Sequence, residues 1–208
     1  MMQVTGIRIE RGQQVLVDGL DFSVAAGSAL MLRGPNGSGK STLLRALLGR
    51  TPVQAGQIQW QDDRFAPGSG RLCAHALWLG HAHGLKGELS AIDNLELLAG
   101  LDGTRPTRAQ LRQVLERVAL GKRPNVETRR LSQGQRQRLA LARLLLSPHR
   151  PLWLLDEPSA ALDTEGSTLL DTLLEEHLEG GGSALIATHL PVLAARQPAE
   201  LWLGGNRA

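Results

Sequence analysis

Gly34-Pro35-Asn36-Gly37-Ser38-Gly39-Lys40-Ser41 is the stretch that decides the fold. It fits the pattern G-x-x-x-x-G-K-[ST]. An apolar run, Ala29–Arg33, precedes it and reads as a buried parallel strand. Ser41–Leu48 follows as a helix, with Leu43, Leu44, Leu47 and Leu48 on one face and Gly49 as its stop. The residue types suit one task. Glycines let the backbone curl so that successive N–H groups converge on phosphate oxygens, and the helix N-terminus favours the same anion. Lys40 can reach the β- and γ-phosphates, and Ser41 can offer its hydroxyl to Mg²⁺. The bland alternative is a glycine-rich turn that happens to carry Gly-Lys-Ser. The strand before and the amphipathic helix after argue against it.

Outward from this loop the chain alternates strands and helices. Val4–Glu10 and Leu20–Val24 read as strands around a polar turn at Arg11–Gln14, and Gly56–Gln61 as another. Asp62–Gly70 reads as a loop. Between about His81 and Pro148 the pattern becomes helical, at Ala91–Ala99, Thr107–Ala119 and Ser132–Leu146. Strands return at Leu152–Leu155, Ala184–Ala187 and Leu201–Leu203. A leucine-striped helix runs between the first two and ends at Gly180-Gly181-Gly182. The expectation is a single α/β domain over residues 1–208. Its core sheet is mostly parallel, its N-terminal β portion is antiparallel, and a helical subdomain is inserted at about 81–148.

Composition narrows the class. The chain has 208 residues, 42% of them hydrophobic, which is enough for a packed core. One cysteine, Cys73, excludes an intramolecular disulfide and a cysteine-rich metal site. No apolar run reaches the length of a transmembrane helix, and Met1–Glu10 lacks a signal-peptide core. Lys+Arg 23 against Asp+Glu 20 permits an anionic partner without choosing one. Aromatic residues at 3% argue against a base-stacking nucleic-acid binder, and no nucleic-acid partner is expected.

Two further motifs carry chemistry. Leu152-Trp153-Leu154-Leu155-Asp156-Glu157 is an apolar strand ending in two carboxylates. Such an ending alone is often only an exposed strand terminus. Beside the phosphate loop it places Asp156 where Mg²⁺ would be held, and Glu157 where it can orient or deprotonate a water. Leu131-Ser132-Gln133-Gly134-Gln135 opens a helix, with Ser132 a good N-cap. It reads either as an ordinary capped helix or as a second anion-binding terminus. One nucleotide does not need two such termini from one chain, but two head-to-tail chains could each offer it to the other.

Taken in order and spacing, the chain resembles the ATP-binding cassette (ABC) ATPases over nearly its whole length. The resemblance makes Gly34–Ser41 and Thr42 the Walker A and ATP-binding segment, Leu131–Gln135 the signature, and Leu152–Asp156 the Walker B strand. It implies that Glu157 and His189 are catalytic, that Asp163 closes the D-loop, and that Ser41 and Asp156 hold Mg²⁺. Within the family the likeness is to the ATP-binding subunits of cytochrome c maturation systems. It rests on the short length, on Leu77-Trp78-Leu79-Gly80-His81 with Gly84-Leu85-Lys86, and on Leu-Ser-Gln-Gly-Gln-Arg-Gln-Arg. That implies ATP hydrolysis in a head-to-tail ATP-sandwich dimer. It also implies membrane-spanning partner subunits and a peripheral place on the cytoplasmic face of the bacterial inner membrane. The coupled work would be haem export or release of a haem-loaded chaperone. An unrelated ABC transporter and a soluble ABC ATPase acting on nucleic acid are the other readings.

Two positions depart from the family pattern. Arg11 stands where an adenine-stacking Tyr is expected; it can stack on a base or be a solvated turn residue. Ala82 stands where the Q-loop Gln is expected, and His81 or His83 is a candidate substitute. The two histidines also read as a metal or haem pair, although no third ligand is near in sequence. Leu85 and Leu89 are expected to be exposed and to meet the membrane partner.

Overall fold

The computed structural model describes residues 1–80 and 83–204. Two sheets and a helical layer make up the molecule. β1 (Met2–Arg11) and β2 (Gln14–Val24) form a long antiparallel hairpin, joined by β4 (Ala55–Trp60) and β5 (Asp63–Phe65) in the order β2-β1-β4-β5. The second sheet is parallel. It contains β3 (Ala29–Arg33), β6 (Ala76–Leu79), β7 (Leu152–Asp156), β8 (Ser183–Ala187) and β9 (Ala199–Trp202) in the order β6-β7-β8-β3-β9. The helices are α1 (Lys40–Leu47), α2 (Ala91–Leu101), α3 (Arg108–Arg117), α4 (Gln133–Leu146) and α5 (Thr164–Glu179).

The period-two pattern of the parallel strands divides the core in two. Leu30, Leu32, Leu152, Leu154, Leu185 and Ala187 face α1 and the antiparallel sheet. Their neighbours Met31, Trp153, Leu155 and Ile186 face α4 and α5. Both faces are covered, so these strands read as continuous apolar runs. A third cluster lies among α2, α3 and α4.

Helix α4 belongs to two clusters at once. Leu139, Ala142 and Leu146 pack with α2 and α3, while Ala140, Leu141 and Leu144 pack on the sheet side. Polar contacts reinforce this double duty. Arg143 grips Asp102, just past α2, through two bonds of 2.9 and 2.8 Å. Burial pushes the Asp102 carboxyl up, but Arg143, the Ser147 hydroxyl and Arg150 outweigh it and hold the group below its ordinary value. Helix α4 thus ties the helical layer to the parallel sheet.

The structure departs from the sequence expectations in several places. The first hairpin is longer than expected, because Gln14–Val17 pairs across from Ile9–Arg11 and leaves only Gly12 and Gln13 as the turn. Within the expected loop Asp62–Gly70, Asp63–Phe65 forms a strand on β4, with Phe65 buried opposite Ile58. Ala76–Leu79 becomes an edge strand, fixed by pairing with β7 rather than by its own periodicity. The expected last strand, Leu201–Leu203, is Ala199–Trp202. Leu85 and Leu89 are not exposed; both are half-buried, and Leu85 packs against the two helical clusters. On the helical layer the exposed large apolar residues are Leu97 and Leu101, one turn apart on α2. The readings of His81 and Ala82 lie outside the described residues.

Candidate functional site

The site forms where strand ends meet. The phosphate-loop segment leaves β3 and turns sharply at Gly34 (φ 134°), where a Cβ would meet the Leu203 carbonyl oxygen at 2.2 Å. Only glycine fits there. Gly39 (φ 99°) ends the loop as the N-cap of α1, in a left-handed conformation that other residues adopt at a cost. Lys40 is buried, and its Nζ donates to the carbonyls of Gly34 (2.7 Å) and Pro35 (3.0 Å). Those bonds hold the loop in a ring around the ammonium group. Ser41 donates its hydroxyl to Asp156 Oδ1 at 2.8 Å, which joins the start of α1 to the end of β7.

Past Asp156 the chain turns at Glu157, which takes a positive φ of 52°. Its N–H donates to the Ala187 carbonyl at 2.7 Å, so the turn is tied to the end of β8. Glu157 Oε1 lies 3.6 Å from His189 Nε2, too long for a hydrogen bond but close enough for an ion pair when the imidazole is protonated. Beneath them Ser159 Oγ and Thr188 Oγ1 are hydrogen-bonded at 3.0 Å in a buried position.

A cleft of about 610 Å³ runs across these groups, a size suited to a nucleotide. The phosphate loop lines one end, from Asn36 to Thr42, with Glu157 and His189 beside it. Arg11, Gln14 and Leu16 on the first hairpin line the other. The hairpin sits close: a Cβ on Gly39 would lie 3.5 Å from Leu16 Cβ. Arg11 is therefore an exposed cleft residue rather than a remote turn residue.

The other expected site residues lie elsewhere. Ser132, Gly134 and Gln135 do not line this cleft in their own chain; they form the N-terminus of α4. Gln133, with Arg136, Gln137, His83 and Ala160, borders a cavity of about 200 Å³ on another side of Glu157. Gln137 fastens α4 to the Glu157 turn by donating to the Pro158 carbonyl at 2.6 Å. Asp163 is the N-cap of α5, accepting from Gly166 N–H at 2.9 Å and pairing with Arg138 on α4. The first of these bonds and then the guanidinium hold its carboxyl below the ordinary value. Among the described residues no group of three or more His, Cys, Asp or Glu is placed to hold a metal ion.

Sequence reasoning missed Gln14, Leu16 and Arg45, all cleft residues, and Arg33 and Gln137, which anchor the turns around Glu157 and His189. Gln14 and Leu16 were legible as an i, i+2 pair on one strand face, had the strand been extended. A cation ending an apolar strand was the signal for Arg33.

The chemistry of such a site is binding of a polyphosphate beside a carboxylate-bearing turn, and the comparisons agree. The ABC transporter family profile matches residues 17–160. The chain is 46% identical over 183 residues to the cytochrome c biogenesis ATP-binding export protein CcmA of Xanthomonas axonopodis pv. citri, covering 88% of this chain and 84% of that protein. It is 41% identical over 184 residues to the protein of the same name from Methylococcus capsulatus, covering 88% of each. Among solved structures, an ATP-binding subunit of an ABC transporter superposes with a TM-score of 0.83 at 24% identity, over 97% of this chain and 85% of that one. A dimeric ATP-binding cassette in a post-hydrolysis state with ADP and Pi gives 0.81 at 23%, over 98% and 94%. The fold, the phosphate loop facing Asp156 and Glu157, and the family match over residues 17–160 together make this chain a member of the ABC transporter family.

Proposed function

We propose that this chain is the ATP-hydrolysing, energy-coupling subunit of a membrane complex for c-type cytochrome biogenesis. One observation carries the ATPase part: the phosphate loop, Ser41–Asp156, Glu157 and His189 converge on a single cleft at the carboxyl ends of the parallel strands. The relatives of stated name support the cytochrome part.

In this reading the backbone N–H groups of Gly37–Ser41 and the N-terminus of α1 cradle the phosphates of ATP. Lys40 neutralises them from within the loop, and Thr42 lines the same end. Ser41 Oγ and Asp156 Oδ1, already 2.8 Å apart, are hard oxygen donors of the kind Mg²⁺ prefers, so the pair fits that ion. Held there, Mg²⁺ would supply positive charge that offsets the charge of the phosphates. Glu157 orients a water toward the γ-phosphorus and accepts its proton, and His189 contacts the γ-phosphate. Arg11 faces the base.

The signature Ser132–Gln135 and the D-loop Asp163 act on the nucleotide of a second copy, arranged head-to-tail. Two features support this: Ser132 caps an exposed helix end, and it stays out of its own chain's cleft. The helical insertion at about 81–148 transmits nucleotide state to membrane-spanning subunits from the cytoplasmic face. No described helix is long and apolar enough to cross a membrane itself. Leu97 and Leu101 replace Leu85 and Leu89 as the apolar contact candidates.

Glu157→Gln tests the reading. It keeps size and removes the base, so turnover should fall by about a hundredfold or more. MgATP binding should persist, and light scattering should show an ATP-dependent dimer. Cells relying on the variant should lose covalently attached haem from their c-type cytochromes. Wild-type turnover by the variant would move the base elsewhere. Unchanged c-type cytochromes despite dead ATPase would assign the chain to another ABC complex.

A further inference from the structure

The ends of β3, β8 and β9 are joined by one side chain that none of the motifs includes. Arg33 is the last residue of β3, immediately before Gly34. Its Nη1 donates to the Thr188 carbonyl at 2.7 Å and to the Leu190 carbonyl at 3.3 Å. The first belongs to the peptide unit that enters His189, the second to the unit one residue beyond the one that leaves it. Its Nε donates to Glu200 Oε1 on β9 at 2.9 Å, and Glu200 Oε2 accepts from the Trp202 indole at 3.3 Å. The Arg33 side chain is only 18% exposed.

Beyond the end of β8 the backbone has no sheet partner, and a shielded carbonyl there needs a donor. A guanidinium suits the task. Its planar fork satisfies several acceptors from one rigid group, and a charged donor makes the stronger bond. With the carbonyls of Thr188 before His189 and Leu190 after it both held, the backbone that carries the imidazole is restrained from either side. Thr188 adds a third restraint, its Oγ1 accepting from Leu190 N–H at 3.1 Å.

We infer that Arg33, braced by Glu200, is a positioning residue for His189. It fixes His189 relative to the phosphate loop whose first residue it adjoins. The latch runs from β9 through Glu200 and Arg33 to the His189 backbone, so the terminal strand helps set the geometry of the γ-phosphate contact. Arg33 touches no substrate; its effect on turnover passes through His189.

This inference rests on the ATPase reading, and the experiment separates the two. Turnover of MgATP by the full chain is measured for Arg33→Ala, Arg33→Lys, Glu200→Gln, His189→Ala and the double variant Arg33→Ala/His189→Ala. Arg33→Ala should lower kcat about tenfold, as expected for a misplaced contact group, with KM within about twofold of wild type. Arg33→Lys should recover part of that loss, since Lys is a donor without the planar fork. Glu200→Gln should cost less than about threefold, because its ion pair is half-exposed. In the His189→Ala background, Arg33→Ala should cost nothing more. Independent, multiplying losses would overturn the latch, as would an Arg33→Ala kcat equal to wild type. If Arg33→Ala does not fold, the Arg33→Lys and Glu200→Gln losses, each repeated with and without His189, decide the same question. A wild-type chain without turnover would instead defeat the ATPase reading.

Discussion

The N-termini of α1 and α4 are built on opposite plans. Helix α1 begins at a left-handed glycine, Gly39, with no side chain capping its first-turn N–H groups and no acidic residue in that turn. Helix α4 begins at extended Ser132, whose Oγ accepts from Gln135 N–H at 3.2 Å while Gln135 Oε1 accepts from Ser132 N–H at 3.0 Å. That reciprocal arrangement satisfies two otherwise orphaned donors within the chain. Helices α2, α3 and α5 are also capped, by Ser90, Thr107 and Asp163. Helix α1 is thus the one described α-helix whose first turn has no side-chain cap. In the proposed function, the phosphate oxygens of ATP are the acceptors that meet its N–H groups. Helix α4 is complete at rest, and its Ser132 hydroxyl still has a proton to donate to a neighbour.

The sharpest way to break the comparison is at α1. Lys40→Ala removes the cation that closes the loop onto the carbonyls of Gly34 and Pro35. Titration calorimetry should show MgATP binding weakened by about a hundredfold or more, with turnover undetectable. Thermal unfolding should shift by only a few degrees, because the variant loses two local hydrogen bonds and no core packing. Near-normal binding by a pure variant would mean that the uncapped helix end is not a phosphate site.

At α4 the expected effect is smaller and of another kind. Ser132→Ala should cost about 1 kcal/mol of stability, the usual loss for an N-cap serine, measured by denaturant titration. It should leave MgATP binding to the isolated chain unchanged, since Ser132 does not line its own cleft. Turnover, which requires two chains in the proposed arrangement, should fall about tenfold. Weakened binding by the single chain would show that the signature acts within its own chain.

The contrast also explains what was legible in the sequence. Local chemistry was: the curling glycines 34, 37 and 39, the capping pattern Ser132-x-x-Gln135, and an apolar strand ending in Asp156-Glu157. Each is a short-range consequence of residue type, and each lies where expected. Long-range pairing was not legible. Ala76–Leu79 is a strand because β7 pairs with it, and Gln14–Val17 because β1 does. Leu85 was expected as an exposed contact for a membrane partner, yet it packs where the sheet-side cluster meets the helical one. Arg33 shows no function until β8 and β9 are beside it.

A third helix end gives the finest test, because its cap is charged. Asp163 caps α5 through Gly166 N–H and meets Arg138 from the helix that Ser132 starts. Both interactions lower its carboxyl below the ordinary 3.8, so the folded state holds the ionised form more firmly than the unfolded chain does. The sign follows from linkage. The stabilisation is fully present above the unfolded value near 3.8 and disappears as pH falls through the lowered folded value. Asp163→Asn keeps a competent cap but discards the charge. Thermal midpoints of wild type and variant should differ slightly at neutral pH, in favour of wild type. They should converge as the pH falls through the lowered folded value, and the neutral-pH gap should narrow in high salt, because the Asp163 side chain is exposed to solvent. A gap that stays constant from neutral pH down through the acid range would mean that Asp163 acts only as a neutral cap. The Arg138 contact between α4 and α5 would then add no stability of its own.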